Sequence, residues 1–292
     1  VSGQCDWISE TLHNDKGVQT FYKAFRMLHE EHTGHQHLAL FEHPHYGKVL
    51  MLDGAVQVTS GDEFVYHEMM SHVPLMAHDN PTDVLIIGGG DCGIAKEAIR
   101  HRNVRRIVQV EIDRRVVEFS REHFPEFAGP AFADPRFEPV IMDGMEYLSK
   151  AHSEEFDVIL VDSTDPQGPG EVLFSFEFYG ACLRALKRGG ILVTQNGVPF
   201  FQEKELASSL GHFSRLFEHS GCYVAAIPTY VGGHMAMGWA SDRFIPAVSA
   251  DMLDGRYTLA GRFKTKYWTP RVQCAAFALP RFIENIVERA GA

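Results

Sequence analysis

The chain lacks any run of about twenty consecutive apolar residues, so the sequence offers no candidate for a membrane-spanning helix. Its first residues (Val1, Ser2, Gly3, Gln4) lack the charged-then-apolar plan of a signal peptide, and the expectation is a soluble, cytoplasmic protein. Cysteine is sparse: Cys5, Cys92, Cys182, Cys222 and Cys274 are odd in number and never spaced as C-x-x-C. That usage argues against a disulfide frame or a zinc knuckle and for reduced thiols. Basic stripes interleaved with aromatics are missing, and the formal charge is −11, so nucleic acid is a poor partner and a small polycation a better one. No G-x-S-x-G elbow is present, which leaves nucleophilic hydrolase chemistry without support. Histidines crowd the early sequence (His29, His32, His35, His37, His43, His45), and His35 and His37 would share a strand face. No acid or cysteine completes a recognisable ligand set, so no metal site is expected.

What remains is an ordinary globular composition, 45% hydrophobic and 22% charged over 292 residues, enough for one large domain or two unequal ones. The first sixty or so residues read as β-structure, with short strands around 19–28, 37–41, 49–52 and 56–59. Asp53-Gly54 between the last two signals a tight hairpin turn. From Val84 the pattern changes to strand and helix in alternation. Strands are expected at 84–87, 107–111, 140–142, 156–162 and 191–195, and helices at 94–100, 114–123, 144–151, 176–187 and 203–220. Two last strands follow at 223–227 and 235–240, the final one antiparallel. This predicts an α/β fold: a doubly wound, mostly parallel seven-stranded sheet preceded by a small all-β domain. The division is set at residues 1–62 and 63–292. The Pro/Gly-rich stretch 165–170 lies just past a strand end, where a lid would be useful.

Ligands of open α/β sheets bind outside the carboxyl ends of the strands, and acids stand at four successive ends here: Asp91, Glu111, Asp143 and Asp162. Gly88-Gly89-Gly90-Asp91-Cys92-Gly93 follows a strand and opens a helix, and Glu111 lies about twenty residues on, where an acid binds ribose hydroxyls. That pattern fits dinucleotides and adenosyl donors alike. Asp91 discriminates between them, because a carboxylate in this turn opposes a pyrophosphate and suits a ligand carrying an ammonium and a sulfonium. Asp143 can accept from the adenine amine or simply cap the next helix. Asp162 and Asp165, three residues apart beside the loop, suit a diamine, with a structural turn as the competing reading. Gln36, Gln57, Tyr66, His67 and Tyr230 are candidates to complete the pocket, although packed core is the commoner fate of a tyrosine.

Taken in order, these segments resemble the spermidine synthase family of bacterial aminopropyltransferases over nearly the whole chain. The resemblance rests on His35-Gln36, Leu52-Asp53-Gly54, Asp62-Glu63-Phe64, Tyr66-His67-Glu68, the run from Val84 to Asp91 and Val110-Glu111-Ile112-Asp113. It continues through Asp143-Gly144, the run from Asp162 to Gly168, Glu171, Leu173-Phe174, Gln195-Asn196-Gly197, Ile227-Pro228-Thr229-Tyr230 and the run from Ala275 to Pro280. It implies a methyltransferase-like catalytic domain, assembly as a homodimer or homotetramer, and transfer of the aminopropyl group of decarboxylated S-adenosylmethionine to putrescine. The donor is then a co-substrate, and no separate cofactor is implied. Gln36, Gly88, Gly90, Asp91, Glu111, Asp143 and Gly144 would hold the donor. Asp162 with Tyr66 would be catalytic, and Gln57, His67, Asp91, Asp162, Asp165 and Tyr230 would hold the amine. Two positions depart from the family pattern: Cys92 replaces a glycine, which would add a side chain where the donor approaches, and Lys96 replaces an arginine.

Three other functions stay open on the residues alone. A diamine N-methyltransferase using intact S-adenosylmethionine would keep the fold, but Asp91 argues against it. A dinucleotide oxidoreductase is disfavoured by the same residue. A non-catalytic polyamine-binding relative would not need Asp162, Tyr66 and Asp165 together.

Overall fold

The computed structural model describes residues 7–164 and 168–291. The chain starts with β1 (Trp7–Glu10) and β2 (Thr20–Lys23), an antiparallel pair. A four-stranded antiparallel sheet follows, formed in sequence order by β3 (Arg26–His32), β4 (His37–His43), β5 (Gly47–Leu52) and β6 (Ala55–Thr59). Asp53 and Gly54 turn the β5–β6 hairpin with φ of 48° and 80°, the pair of positive values that an Asp-Gly turn supplies. The region expected as one strand at 19–28 is two strands, separated at Ala24 and Phe25.

Helix α1 (Glu63–Ala77) leads into the larger unit. There β7 (Asp83–Gly88), α2 (Gly93–Ala98), β8 (Arg106–Glu111), α3 (Arg114–His123), α4 (Pro125–Ala133), β9 (Phe137–Ile141), α5 (Gly144–Lys150) and β10 (Phe156–Asp162) alternate. A 3₁₀ helix (Gly168–Phe174), α6 (Phe176–Ala185), β11 (Leu186–Gln195), α7 (Glu203–Leu216), β12 (His219–Ala225) and β13 (Met235–Ser241) complete the layers. The last helices are α8 (Ala250–Ala260), α9 (Pro270–Ala276) and α10 (Arg281–Ala290). The seven strands run β12-β13-β11-β10-β7-β8-β9, with β13 antiparallel to both neighbours and the rest of the ladder from β11 to β9 parallel. Val84, Leu85, Ile86, Val158, Ile159 and Leu160 are fully buried, as the central strands of a sheet covered on both faces must be. No helix among the described residues is long and apolar enough to cross a membrane.

Several elements differ from the sequence expectation. Helix α1 escaped it because all but one of its fifteen residues are buried, so it has no polar face to set a period. Helix α4 separates from α3 at Pro125, which suits a first helical turn and cannot continue the previous one. The helix expected at 176–187 stops at Ala185, and that expected at 203–220 stops at Leu216. Residues 168–170, the described end of the stretch 165–170 expected as a lid, begin a 3₁₀ helix, Gly168–Phe174. Asp165 lies outside the described residues.

Glu68 of α1 ties the C-terminal segment to the core. It is 1% exposed, and its carboxylate accepts the backbone N–H groups of Lys266, Tyr267 and Trp268 at 2.7, 2.8 and 2.7 Å. Removing it leaves three backbone donors without this acceptor, that of Trp268 buried. Glu68→Ala is expected to cost about 3 kcal/mol in a urea titration.

Candidate active site

The strand order reverses between β7 and β10, and there the two flanking connections leave in opposite directions, opening a crevice at the carboxyl ends. Gly88 ends β7 opposite Asp162, which ends β10. Gly88 has φ of 81°, and a Cβ there would fall 2.1 Å from the Asp162 carbonyl oxygen, so only glycine lets the turn pass this close. The crevice is closed on its other side by the N-terminal strands and opens as a cavity of about 310 Å³.

Gln36, Gln57, Tyr66, His67, Gly88, Gly90, Asp91, Glu111, Asp143, Gly144, Asp162 and Tyr230 all line this cavity, so the structure brings together every expected site residue within the described part of the chain. Glu111 is held by the backbone N–H of Asp113 at 2.9 Å. Burial pushes Glu111 up to about 7, against that hydrogen bond. Asp113 in turn caps α3 and accepts from Thr33 Oγ1 at 2.7 Å and Gln36 Nε2 at 3.4 Å, which fixes Gln36 beside Glu111. Asp143 does two things: one oxygen caps α5 by accepting the Glu146 N–H at 2.9 Å, and the side chain still borders the cavity. The Tyr230 hydroxyl donates to the Gln57 carbonyl at 2.5 Å, and its ring meets that of Tyr66 edge-on at 6.0 Å.

Tyr66 projects from α1 and donates to Asp162 Oδ1 at 2.6 Å. Burial first, and the neighbouring Asp91 charge second, push Asp162 up to about 7, while the Tyr66 hydrogen bond pulls the other way. Asp91 is just as deeply set but goes in the opposite direction. Burial raises it, yet the His67 ring, the Gly93 N–H at 2.8 Å and Lys96 together hold it below the usual carboxylate range. Two carboxylates of one cavity are thereby shifted in opposite directions, Asp91 down and Asp162 up.

The arrangement is a cleft lined by Asp91, Glu111, Asp143 and Asp162, with Gly88, Gly90 and Gly144 on its wall. A family model described as the spermine/spermidine synthase domain matches residues 63–251, and one described as the spermidine synthase tetramerisation domain matches residues 6–60. The chain belongs to the spermidine synthase family. A polyamine aminopropyltransferase of a Ruegeria species is 48% identical over 96% of this chain and 98% of its own length. One from Escherichia fergusonii is 47% identical over 94% and 95%. Among solved structures, a spermidine synthase in complex with the transition-state analogue AdoDATO superposes with a TM-score of 0.91, at 35% identity over 98% of this chain and 97% of that one. Spermidine synthase from Thermotoga maritima gives 0.88 at 34%, over 98% and 96%.

Both departures from the family pattern have a local explanation. Cys92 adopts φ of 64°, the left-handed region that favours glycine, and a non-glycine residue there costs roughly 1 kcal/mol. Its side chain turns into the core beside Ile94 and Ala95, 1% exposed, with Sγ 3.8 Å from the Gly90 carbonyl oxygen. Cys92 therefore does not border the cavity, contrary to the expectation that it would crowd the donor. Lys96 reaches Glu63 Oε2 at 2.8 Å and lies 4.9 Å over the Phe127 ring, so it supplies a cation to the buried side of the site.

Sequence reasoning missed two contributors. Glu10 lines the cavity from β1 and accepts the Val56 N–H at 2.9 Å, an acid that stands beyond the strand-end set. Gln195, at the end of β11, borders the cavity and accepts the Gly197 N–H at 3.0 Å. Glu10 was hidden because β1 is only four residues long and carries an exposed Trp7 at its start, so it shows no strand pattern.

Proposed function

We propose that this chain moves the aminopropyl group of decarboxylated S-adenosylmethionine to putrescine, forming spermidine and methylthioadenosine. The observation that carries this reading is the pair of acids on either side of the β7 turn that line one cavity, Asp91 held below the usual carboxylate range and Asp162 pushed above it. Glu111, Asp143, Gly144 and Gln36 would hold the nucleoside, with Gly88 and Gly90 allowing its close approach. Asp91 would take the donor's ammonium. Asp162, oriented by Tyr66, would accept the proton of the attacking amine, and Gln57, Tyr230 and Asp165 would line the diamine's path.

The chemistry needs little else from the protein. The sulfonium makes methylthioadenosine a good leaving group, and what must be supplied is a neutral amine in line with the propyl carbon. A primary ammonium with a pKa of about 10 is only about 0.1% neutral at pH 7, which represents roughly 4 kcal/mol. An ordinary carboxylate sits about six units below that ammonium. Raising Asp162 to about 7 halves the gap for proton transfer.

Asp91 also makes a prediction about the donor. Intact S-adenosylmethionine would bring its own carboxylate toward Asp91, whereas the decarboxylated form brings only cations. Calorimetry is expected to show the decarboxylated donor binding at least about 30-fold more tightly than the intact one, about 2 kcal/mol. Equal affinity, or preference for the intact form, would favour the N-methyltransferase instead. We also propose self-association through the N-terminal strands, which leave Trp7, Phe21, Phe25 and Met27 exposed.

A further inference from the structure

We propose that Glu63, backed by Lys96, is a positioning residue that holds His67 as a doubly donating imidazolium aimed at Asp91, so that Asp91 is presented to the donor's ammonium. The inference rests on the aminopropyl-donor reading and gives His67 a different task from direct contact with the amine. His67 is 1% exposed, and both of its ring nitrogens are taken: Nδ1 lies 2.6 Å from Glu63 Oε2, and Nε2 lies 3.1 Å from Asp91 Oδ2. An imidazole flanked by two carboxylates is protonated and has no lone pair left to accept an ammonium N–H.

The ring is also mechanically fixed. A Cβ on Gly93 would fall 2.0 Å from the His67 ring, so the glycine at the start of α2 leaves the space that the ring fills. Phe127 of α4 packs edge-on against it with centroids 5.9 Å apart, and Tyr66 does the same at 5.7 Å. The titratable and charged groups that face it are Glu63 and Tyr66 from α1, Asp91 from the loop after β7, Lys96 from α2 and Asp162 from the end of β10. Burial would strip the ring of its proton, but Asp91 and Glu63 more than reverse this and hold His67 up to about 10.

Glu63 is itself kept ionised from behind. Burial raises it, and His67 and Lys96 pull it below the usual range. Lys96 is shared with Glu97 Oε1 at 3.4 Å, which anchors its position between α1 and α2. The result is a buried row of alternating charge, Lys96, Glu63, His67 and Asp91, whose last member borders the cavity. The outer two carboxylate lone pairs of Asp91 are left for a ligand, because Oδ1 is taken by Gly93 N–H on one side and Oδ2 by His67 on the other.

The test compares the donor with methylthioadenosine, which lacks the aminopropyl arm with its ammonium and the sulfonium charge. In Glu63→Gln, the imidazole of His67, followed by ¹⁵N chemical shift in ligand-free protein, is expected to titrate at least about one pH unit lower than in wild type. The dissociation constant for decarboxylated S-adenosylmethionine is expected to rise about tenfold, while that for methylthioadenosine, which lacks the ammonium, changes less than about twofold. An unchanged His67 titration, or equal weakening of both ligands, would overturn the proposal, since a merely structural role moves both alike. Should Glu63→Gln fail to fold, His67→Gln makes the same comparison: it keeps an N–H for Asp91 and removes the charge. The same selective loss of the decarboxylated donor is expected there, and equal affinities would overturn the proposal. A wild-type protein that fails to bind the decarboxylated donor would remove the donor reading instead, and the ligand-free titration would still decide whether Glu63 sets the state of His67.

Discussion

Replacing Asp162 with Asn is expected to lower kcat by at least about 10³-fold while the donor's dissociation constant changes only a few-fold. The substitution keeps the size of the side chain and an oxygen for the Tyr66 hydroxyl, which lies 2.6 Å from Asp162 Oδ1. It removes the carboxylate that Tyr66 orients, which its surroundings raise toward the pKa of an amine as they also raise that of Glu111. Burial and the Asp91 charge produce that rise, and neither helps an amide accept a proton. The backbone of residue 162 still supports the β7 turn, because Gly89 N–H donates to its carbonyl at 2.9 Å. Steady-state kinetics with saturating donor and amine, together with calorimetry of the donor alone, separates the two quantities. Near-normal kcat in this variant would remove Asp162 from the chemistry.

Asp91→Asn is the second large effect. The amide keeps the acceptor for Gly93 N–H and leaves the turn intact, but it withdraws the cavity-lining carboxylate that His67 and Lys96 hold below the usual range. A desolvated, charge-assisted contact to an ammonium is worth about 2–3 kcal/mol, so the decarboxylated donor is expected to bind about 100-fold more weakly. Methylthioadenosine, held by Glu111, Asp143 and the glycines, is expected to bind within about twofold of wild type. Equal losses for both ligands would place the ammonium elsewhere.

The layered fold was legible because its physics is local. The apolar runs of β7 and β10 are too short for helices and too continuous for half-exposed strands, and each ends in an acid or a glycine that the crevice uses. The Asp53-Gly54 hairpin was equally plain. Helix α1 was not, and the loss mattered, since once α1 is known to be a helix the spacing of Glu63 and His67 at i and i+4 sets them in contact. Read only as a run of candidate ligands, the same residues suggest an amine contact for His67 and no task for Glu63. Cys92 failed for another reason. Whether its side chain faced the donor depended on a backbone φ, and the residue type gave no hint that a cysteine had taken a left-handed position. Glu10 reaches the cavity only because the N-terminal strands fold over the sheet's carboxyl ends, a long-range placement that no nearby pattern records.

The most direct test of aminopropyl transfer is the mass of the product formed when the full-length protein is incubated with decarboxylated S-adenosylmethionine and a panel of amines. The expected result is spermidine from putrescine, with one methylthioadenosine released per spermidine formed. Methylated amine made from intact S-adenosylmethionine, with no methylthioadenosine from the decarboxylated donor, would contradict it.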